Sequence, residues 1–163
     1  MQAFPRAELI RLTERTSYPT IDRYEWRALR EYLRRHGAEY DELRFDVRIG
    51  IGVKLEGEYS DKFKADWERR TKMKPDCIGF IVPDRATIIE TKVQWTNGAV
   101  WQILSYRDHY QIDFPGHTVA TIGVCESATP SALALSTARG IVLYRYEFPA
   151  NDPLAPGAEL GAS

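Results

Sequence analysis

Two apolar runs separated by a turn place the tightest constraint on how this chain can fold. Residues 76–82 and 86–93 are rich in isoleucine and valine, and Pro83, Asp84 and Arg85 stand between them. Short runs of β-branched residues on either side of a proline-containing turn are typical of neighbouring antiparallel strands. The sequence therefore predicts a β-hairpin near the middle of the chain.

Hydrophobic periodicity and turn residues predict further elements on both sides of this hairpin. Helices are expected at residues 20–36, ending at Gly37, at 60–72, at 97–110 with Asn97 as the cap, and at 130–138. Strands are expected at residues 43–52, 118–125 and 141–148. This order predicts an α/β fold with a mixed central β-sheet flanked by helices.

The length and composition agree with one globular domain. The chain has 163 residues, and we interpret residues 1–148 as a single domain and the Pro-, Gly- and Ala-rich residues 149–163 as a flexible tail. Without a signal-like N-terminus or a membrane-length apolar run, we expect a cytoplasmic protein with no membrane partner. Cys77 and Cys125 stand far apart in apolar runs and are interpreted as core thiols.

Charge is distributed unevenly along the chain. The whole chain carries 22 basic and 23 acidic side chains, a formal charge of −1, which excludes the strong basic excess of a non-specific nucleic-acid coat. Residues 1–74 carry a charge of +3, whereas residues 75–163 carry −4. A polyanionic partner would therefore have to bind a local patch in the first half.

The hairpin carries two acids and a lysine whose spacing suggests a shared site. Glu90 and Lys92 are two positions apart on one predicted strand, so their side chains leave the same face. A three-residue loop would pair Ile78 with Glu90 and Asp76 with Lys92, bringing Asp76 to that face as well. A two-residue loop would send Asp76 to the opposite face.

The environment of these acids favours a metal site. Apolar residues surround them, and a buried carboxylate without a compensating cation is costly. Hard oxygen ligands with no histidine or cysteine nearby favour Mg²⁺ or Mn²⁺ over zinc. A metal with an adjacent lysine suits the hydrolysis of a phosphodiester bond.

These residues resemble the signature of the PD-(D/E)XK nuclease superfamily. Its two halves are written here as Pro75-Asp76 and Glu90-Thr91-Lys92. The resemblance covers residues 20–148 and implies a restriction-endonuclease-like core. It also implies a deoxyribonuclease that depends on Mg²⁺ or Mn²⁺ and binds DNA, for which we favour an endonuclease and keep exonucleolytic cleavage as the alternative.

A second motif and an additional acid extend the resemblance. Gln102 and Tyr106, four positions apart on the next predicted helix, are similar to the Q-x-x-x-Y motif of the RecB-like branch. The family often contributes a further metal ligand from its first helix, for which Glu25 is preferred by its separation from Gly37, with Glu31 as the reserve.

The resemblance assigns a role to each of these residues. Asp76 and Glu90 bind the metal, and the Thr91 carbonyl and Glu25 are further candidate ligands. Lys92 acts on the attacking water. The Gln102 and Tyr106 side chains orient the site.

The residues that precede the hairpin are candidates for contact with nucleic acid. Six basic side chains lead into the site and are expected to bind phosphate groups, the alternative being a solvated face: Lys62, Lys64, Arg69, Arg70, Lys72 and Lys74. Tyr59, Phe63 and Trp67 recur every four positions, and we expect them to serve packing rather than base stacking.

Alternatives to a deoxyribonuclease remain open at the level of the sequence. The chain can be a catalytically inactive nuclease-fold subunit of a DNA-processing complex, or an enzyme acting on RNA or a small phosphate ester. Cleavage of both strands of a duplex by so small a chain would require a homodimer or a larger complex.

Overall fold

The computed structural model describes residues 2–149, which form an α/β unit around one six-stranded sheet. The strands are β1 Gln2–Pro5, β2 Glu42–Phe45, β3 Cys77–Val82, β4 Arg85–Trp95, β5 Thr118–Ala128 and β6 Val142–Arg145. The helices are α1 Leu9–Thr13, α2 Arg23–His36, α3 Asp61–Thr71, α4 Asn97–Asp113 and α5 Pro130–Ala138. The predicted mixed sheet with flanking helices is confirmed, whereas all of the predicted tail but Pro149 lies outside the described residues.

The strands follow one another across the sheet in chain order. The pairs β1–β2, β2–β3 and β3–β4 are antiparallel, whereas β5 runs parallel to β4 and β6 runs parallel to β5. Parallel neighbours need a crossover connection, and α4 and α5 supply the two crossovers. The β3–β4 hairpin therefore lies in the middle of the sheet, where its antiparallel part meets its parallel part.

The two faces of the sheet bury different sets of side chains. Ile89 packs into a core with Trp26 of α2, and we call this side the α2 face. Ile88 packs into a second core with Ile103 of α4, and we call this side the α4 face. Because successive side chains of a strand point to opposite faces, Glu90 and Lys92, two and four positions after Ile88, also project on the α4 face.

The hairpin turn differs from the prediction. Val82 pairs with Arg85, so the loop contains two residues instead of three. A β-bulge at Ile81 then adds one residue to β3, and the next pair is Phe80 with Ala86. A bulge places two residues of one strand opposite one of the other, so the pairing beyond it shifts by one position.

The two-residue loop and the bulge together preserve the predicted face. The expected pairs of Ile78 with Glu90 and of Asp76 with Lys92 are wrong by two positions, because Ile78 pairs with Ile88. Continuing this register brings Asp76 level with Glu90. Since a shift of two positions restores the same face, Asp76 still projects on the side predicted for it.

The predicted strand over residues 43–52 is wrong in its second half. Strand β2 ends at Phe45 because Asp46 has a φ of 56°, in the left-handed region that interrupts an extended chain. The chain then leaves the sheet, and Ile49 forms only an isolated bridge with Met73. The rest of this segment leads to α3.

Several element ends also differ from the prediction. The short strand β1, which pairs with β2, was not predicted. Asp22 caps α2 by accepting a hydrogen bond from the Tyr24 N–H, and α4 is preceded by Thr96, so Asn97 is its first residue instead of its cap. Helix α5 matches the prediction, and the buried free thiols of Cys77 and Cys125 confirm that both are core residues.

Candidate functional site

Asp76 and Glu90 meet at the point where β3 begins. Pro75 cannot donate a backbone hydrogen bond, and the β3 ladder starts just after it, at Cys77. The Thr91 N–H donates to Asp76 Oδ2 over 2.8 Å, and the Asp76 N–H donates to Glu90 Oε2 over 3.4 Å. Each carboxylate is thus fixed by backbone contact with the other strand.

Lys92 connects these strands to helix α2. Its Nζ lies 2.8 Å from Glu90 Oε1 and 3.3 Å from Glu25 Oε1. The structure therefore places Glu25 in the site. Glu31, the reserve candidate, lies elsewhere on α2, where it forms ion pairs with Arg34 and Arg35.

Burial dominates the electrostatics of the carboxylates. Glu90 is 1% exposed, and its burial, with the neighbouring charge of Asp76, raises the pKa of its carboxyl group. Burial also raises the pKa of Asp76, although the charge of Lys92 and the Thr91 N–H lower it in part. The single ammonium group of Lys92 therefore does not fully offset the cost of burying the Asp76 and Glu90 charges.

The charge of Lys92 is stabilised by the same acids. Its burial alone would lower the pKa of the ammonium group, but the carboxylates of Glu90, Asp76 and Glu25 raise that pKa overall. Lys92 therefore remains a cation at neutral pH and contributes one positive charge to a site with three carboxylates.

Gln102 and Tyr106 lie on α4, which covers this face of the sheet. Gln102 Nε2 donates to the Tyr106 hydroxyl over 2.6 Å, as expected for side chains four positions apart on a helix. Burial and the nearby charge of Glu90 raise the pKa of Tyr106 to about 12, so its hydroxyl keeps its proton. The helix thus presents a neutral polar pair beside the two acids.

The donor set fits a hard divalent cation in part. Two carboxylates converge, and the Thr91 carbonyl points toward β3 as its N–H does, because both groups of a strand residue face the same neighbour. Among residues 2–149, no group of three or more His, Cys, Asp or Glu side chains could hold a metal ion alone. The Lys92 ammonium contacts both Glu90 and Glu25, so Glu25 joins the two converging carboxylates through Lys92.

The predicted phosphate-binding cations divide into separate groups. Arg69 and Arg70 form ion pairs with Asp66 on α3, and Lys74 lies 3.2 Å from Asp46. Arg69 and Lys72 line a cavity beside β2. Lys62 and Lys64 lie nearer the beginning of α3 and do not line this cavity.

Two arginines of this cavity were not singled out in the sequence. Arg44 stacks on Phe80, 4.4 Å from the ring centroid, and Arg48 donates to the carbonyls of Arg69 and Arg70 at the end of α3. The only sequence signal was their alternation with apolar residues along a predicted strand, which suggested an ordinary solvated face.

The aromatic stripe of α3 does not pack as expected. Tyr59, Phe63 and Trp67 are 51%, 48% and 40% exposed, and α3 has no buried residue. The rings of Tyr59 and Phe63 stack on each other at 5.4 Å. The prediction that this stripe serves core packing is therefore wrong for the described part of the chain.

Comparison with known proteins gives no relative: no family model, no curated protein and no solved structure matches this chain. Among the helices of residues 2–149, none combines the length and the apolar character needed to cross a membrane.

Proposed function

We propose that this chain is a metal-dependent nuclease of the PD-(D/E)XK type that hydrolyses phosphodiester bonds in DNA. The observation that carries the proposal is the convergence of Asp76, Glu90 and Lys92 within hydrogen-bond distance of one another or of the adjacent backbone. Buried acids with raised pKa values beside a specific cation are typical of functional sites, which supports a catalytic role for this cluster.

The order of elements around the site supports a restriction-endonuclease-like core. The acidic hairpin is followed by a helix that carries Gln102 and Tyr106, and then by a strand, a helix and a strand. Helix α2, which precedes the hairpin, brings Glu25 to Lys92. Each part of the motif is thus delivered by the element expected of it.

The residues of this chain suggest a division of labour. Asp76, Glu90 and the Thr91 carbonyl would hold Mg²⁺ or Mn²⁺, which when bound supplies charge neutralisation and an activated water. Lys92 would orient that water and stabilise negative charge on the phosphate. The Gln102–Tyr106 pair would position the scissile strand, because its hydroxyl remains neutral and able to donate.

Cleavage assays with matched variants test this proposal. The full chain is incubated with Mg²⁺ and labelled single-stranded, duplex, flap and junction DNA, together with an RNA strand. Cleavage should require the metal and should be lost in Asp76→Ala, while Glu31→Ala, an acid outside the site, should retain it. Cleavage that survives in Asp76→Ala from a clean preparation would refute the assignment.

Metal binding separates an active enzyme from an inactive relative. Calorimetry with Mn²⁺ should show binding to the wild-type chain and none to an Asp76→Asn and Glu90→Gln double variant. A chain that binds no metal and cleaves none of the substrates would instead be a binding subunit. Cleavage of RNA alone would keep the chemistry and change the substrate.

A further inference from the structure

A cavity with aromatic walls lies beside β2, away from Asp76 and Glu90. It has a volume of about 330 Å³, and Phe80, Tyr110 and Phe114 line it. Asp41 and Glu42 supply carboxylates at the same cavity, and Arg44, which also lines it, forms an ion pair with Glu42 over 2.8 Å. We call it the aromatic cleft; it combines flat apolar surfaces with hydrogen-bond acceptors.

A second cavity, which we call the basic cleft, adjoins the first. It has a volume of about 760 Å³ and is lined by four cations, Arg44, Arg48, Arg69 and Lys72, against the two acids Asp46 and Glu68. The two cavities share Arg44, Val47 and Phe114 in their walls, so they form one continuous surface.

The basic cleft continues toward the proposed catalytic site. Asp46 in its wall binds Lys74, which precedes Asp76 by two positions. The aromatic cleft lies farther away, because Phe80 is four strand residues from Asp76, which corresponds to roughly 13 Å. The continuous surface of the two clefts therefore runs from Asp76 and Glu90 through the basic cleft to the aromatic cleft.

We propose that the aromatic cleft binds an unstacked base of a single DNA strand whose phosphates follow the basic cleft toward Asp76 and Glu90. Tyr110 and Phe114 provide stacking surfaces for a base, because Arg44 already stacks on Phe80, and the Asp41 carboxylate can accept hydrogen bonds from the amino groups of the base. The cations of the basic cleft match the phosphates. This inference rests on the proposed function and specifies its substrate class.

The arrangement of charges selects a single strand over a duplex. Arg44 offsets the charge of Glu42, so Asp41 is the acid that would repel a phosphate in the aromatic cleft, and its carboxylate suits the donor groups of a base. In a duplex those groups are paired and stacked inside the helix, and exposing them costs free energy. An unpaired strand presents both its phosphates and its bases at once.

Binding measurements without cleavage test the inference. Fluorescence anisotropy of the full chain is measured in EDTA with a labelled single strand and with its duplex. Phe114→Ala should weaken binding of the single strand by roughly fivefold or more, as expected for loss of one stacked base, and leave duplex binding unchanged. Trp101→Ala is the control, because this exposed ring on α4 packs against Arg139 instead of lining the cleft.

A second variant separates phosphate contact from base contact. Lys72→Ala should weaken binding of both DNA forms and lower the slope of affinity against salt by about one phosphate contact. An effect of Lys72→Ala on neither DNA form would contradict the path of the phosphates. Equal losses for both DNA forms in Phe114→Ala, or no loss, would contradict the base-binding cleft.

Modified DNA tests the same contact without changing the protein. Single strands carrying one abasic nucleotide at successive positions should show one position where binding is weakened as much as by Phe114→Ala. Uniform binding across all positions would overturn the inference. If this position effect persists but Mg²⁺-dependent cleavage is absent, the nuclease proposal fails alone; if cleavage occurs without it, only the cleft assignment fails.

Discussion

The hairpin and the α3 segment both carry residues of the proposed site, but they differ in how deeply those residues are buried. The hairpin residues Ile88, Ile89, Glu90 and Thr91 are almost entirely buried and lie on a strand that is paired on both sides in the sheet. In contrast, α3 buries none of its residues. The acids are therefore held by the core, whereas the candidate phosphate contacts lie on a surface that the core barely supports.

The attachment of α3 explains how it can still be placed reproducibly. Arg48 donates to two carbonyls at its end, and the Val53 N–H donates to the Thr71 hydroxyl over 2.7 Å. These few polar contacts fix a helix end without a packed interface. Catalytic groups benefit from rigid elements, and segments with few buried contacts open at low free energy.

The largest expected effect is on catalysis in the hairpin. Lys92→Met removes the ammonium group but keeps the aliphatic stem, and Mg²⁺-dependent cleavage should fall by roughly 10²–10³-fold, the scale for losing one stabilising donor. Single-turnover cleavage of a labelled strand measures it. Lys62→Met on α3 is the matched control, and an equal loss there would show that the difference between the two regions is not functional.

A stability comparison tests the packing difference directly. Ile88→Ala should lower the free energy of unfolding by about 2–5 kcal/mol, because the side chain is fully buried. Urea unfolding followed by circular dichroism measures this. If Ile88→Ala costs less than about 1 kcal/mol, the hairpin is not the rigid part of the molecule.

The raised carboxyl pKa values predict a pH dependence of the metal-free protein. Folding raises the pKa of Glu90 and of Asp76, so the folded state binds their protons more tightly than the unfolded state. The free energy of unfolding should therefore decrease as the pH rises from about 4, near the pKa of an unfolded carboxyl group, toward the raised pKa values of the folded state.

Urea unfolding in EDTA at pH 5 and pH 8 measures this dependence, and Glu90→Gln should flatten it. Glu31→Gln serves as the control: hydrogen bonds from Arg34 lower the pKa of Glu31 to about 2, so its contribution is lost only below the pKa of an unfolded carboxyl group, and the variant should leave the change between pH 5 and pH 8 as in the wild type. A wild-type protein that becomes more stable toward pH 8 would contradict the burial of uncompensated acids in the hairpin.

The smallest expected effect is on the stability of α3. Trp67→Ala should change the free energy of unfolding by less than about 1 kcal/mol, because the ring is 40% exposed. The same urea measurement applies, with Ile88→Ala as its reference. A loss comparable to that of Ile88→Ala would show that α3 belongs to the packed core.

The sequence predicted those parts of the molecule whose signals are local. The hairpin, α2 and α5 follow from periodicity and turn residues, and the face that Asp76 shares with Glu90 follows from counting along two strands, although that count paired Asp76 with Lys92. The resemblance to a known signature added Gln102 and Tyr106. These features depend on residues that are close in sequence or on adjacent strands.

Features that depend on tertiary contacts were missed. The bulge at Ile81 has no residue signature, and the left-handed Asp46 ends β2 inside a regular alternating pattern. The same alternation concealed Arg44 and Arg48, because a polar face of a strand gives no indication of the helix that will lie opposite it. Their place in the basic cleft requires the position of α3.

The bulge at Ile81 makes the hairpin sensitive to odd changes of length. Loop and bulge together contribute three residues to the spacing of Asp76 and Glu90, and adding or removing a single residue would turn Asp76 toward the α2 face. Insertions and deletions between the two acids can therefore keep the site only in steps of two. An odd change would be tolerated only where the bulge appears or disappears with it, so the bulge sets the parity of the spacing between the two acids.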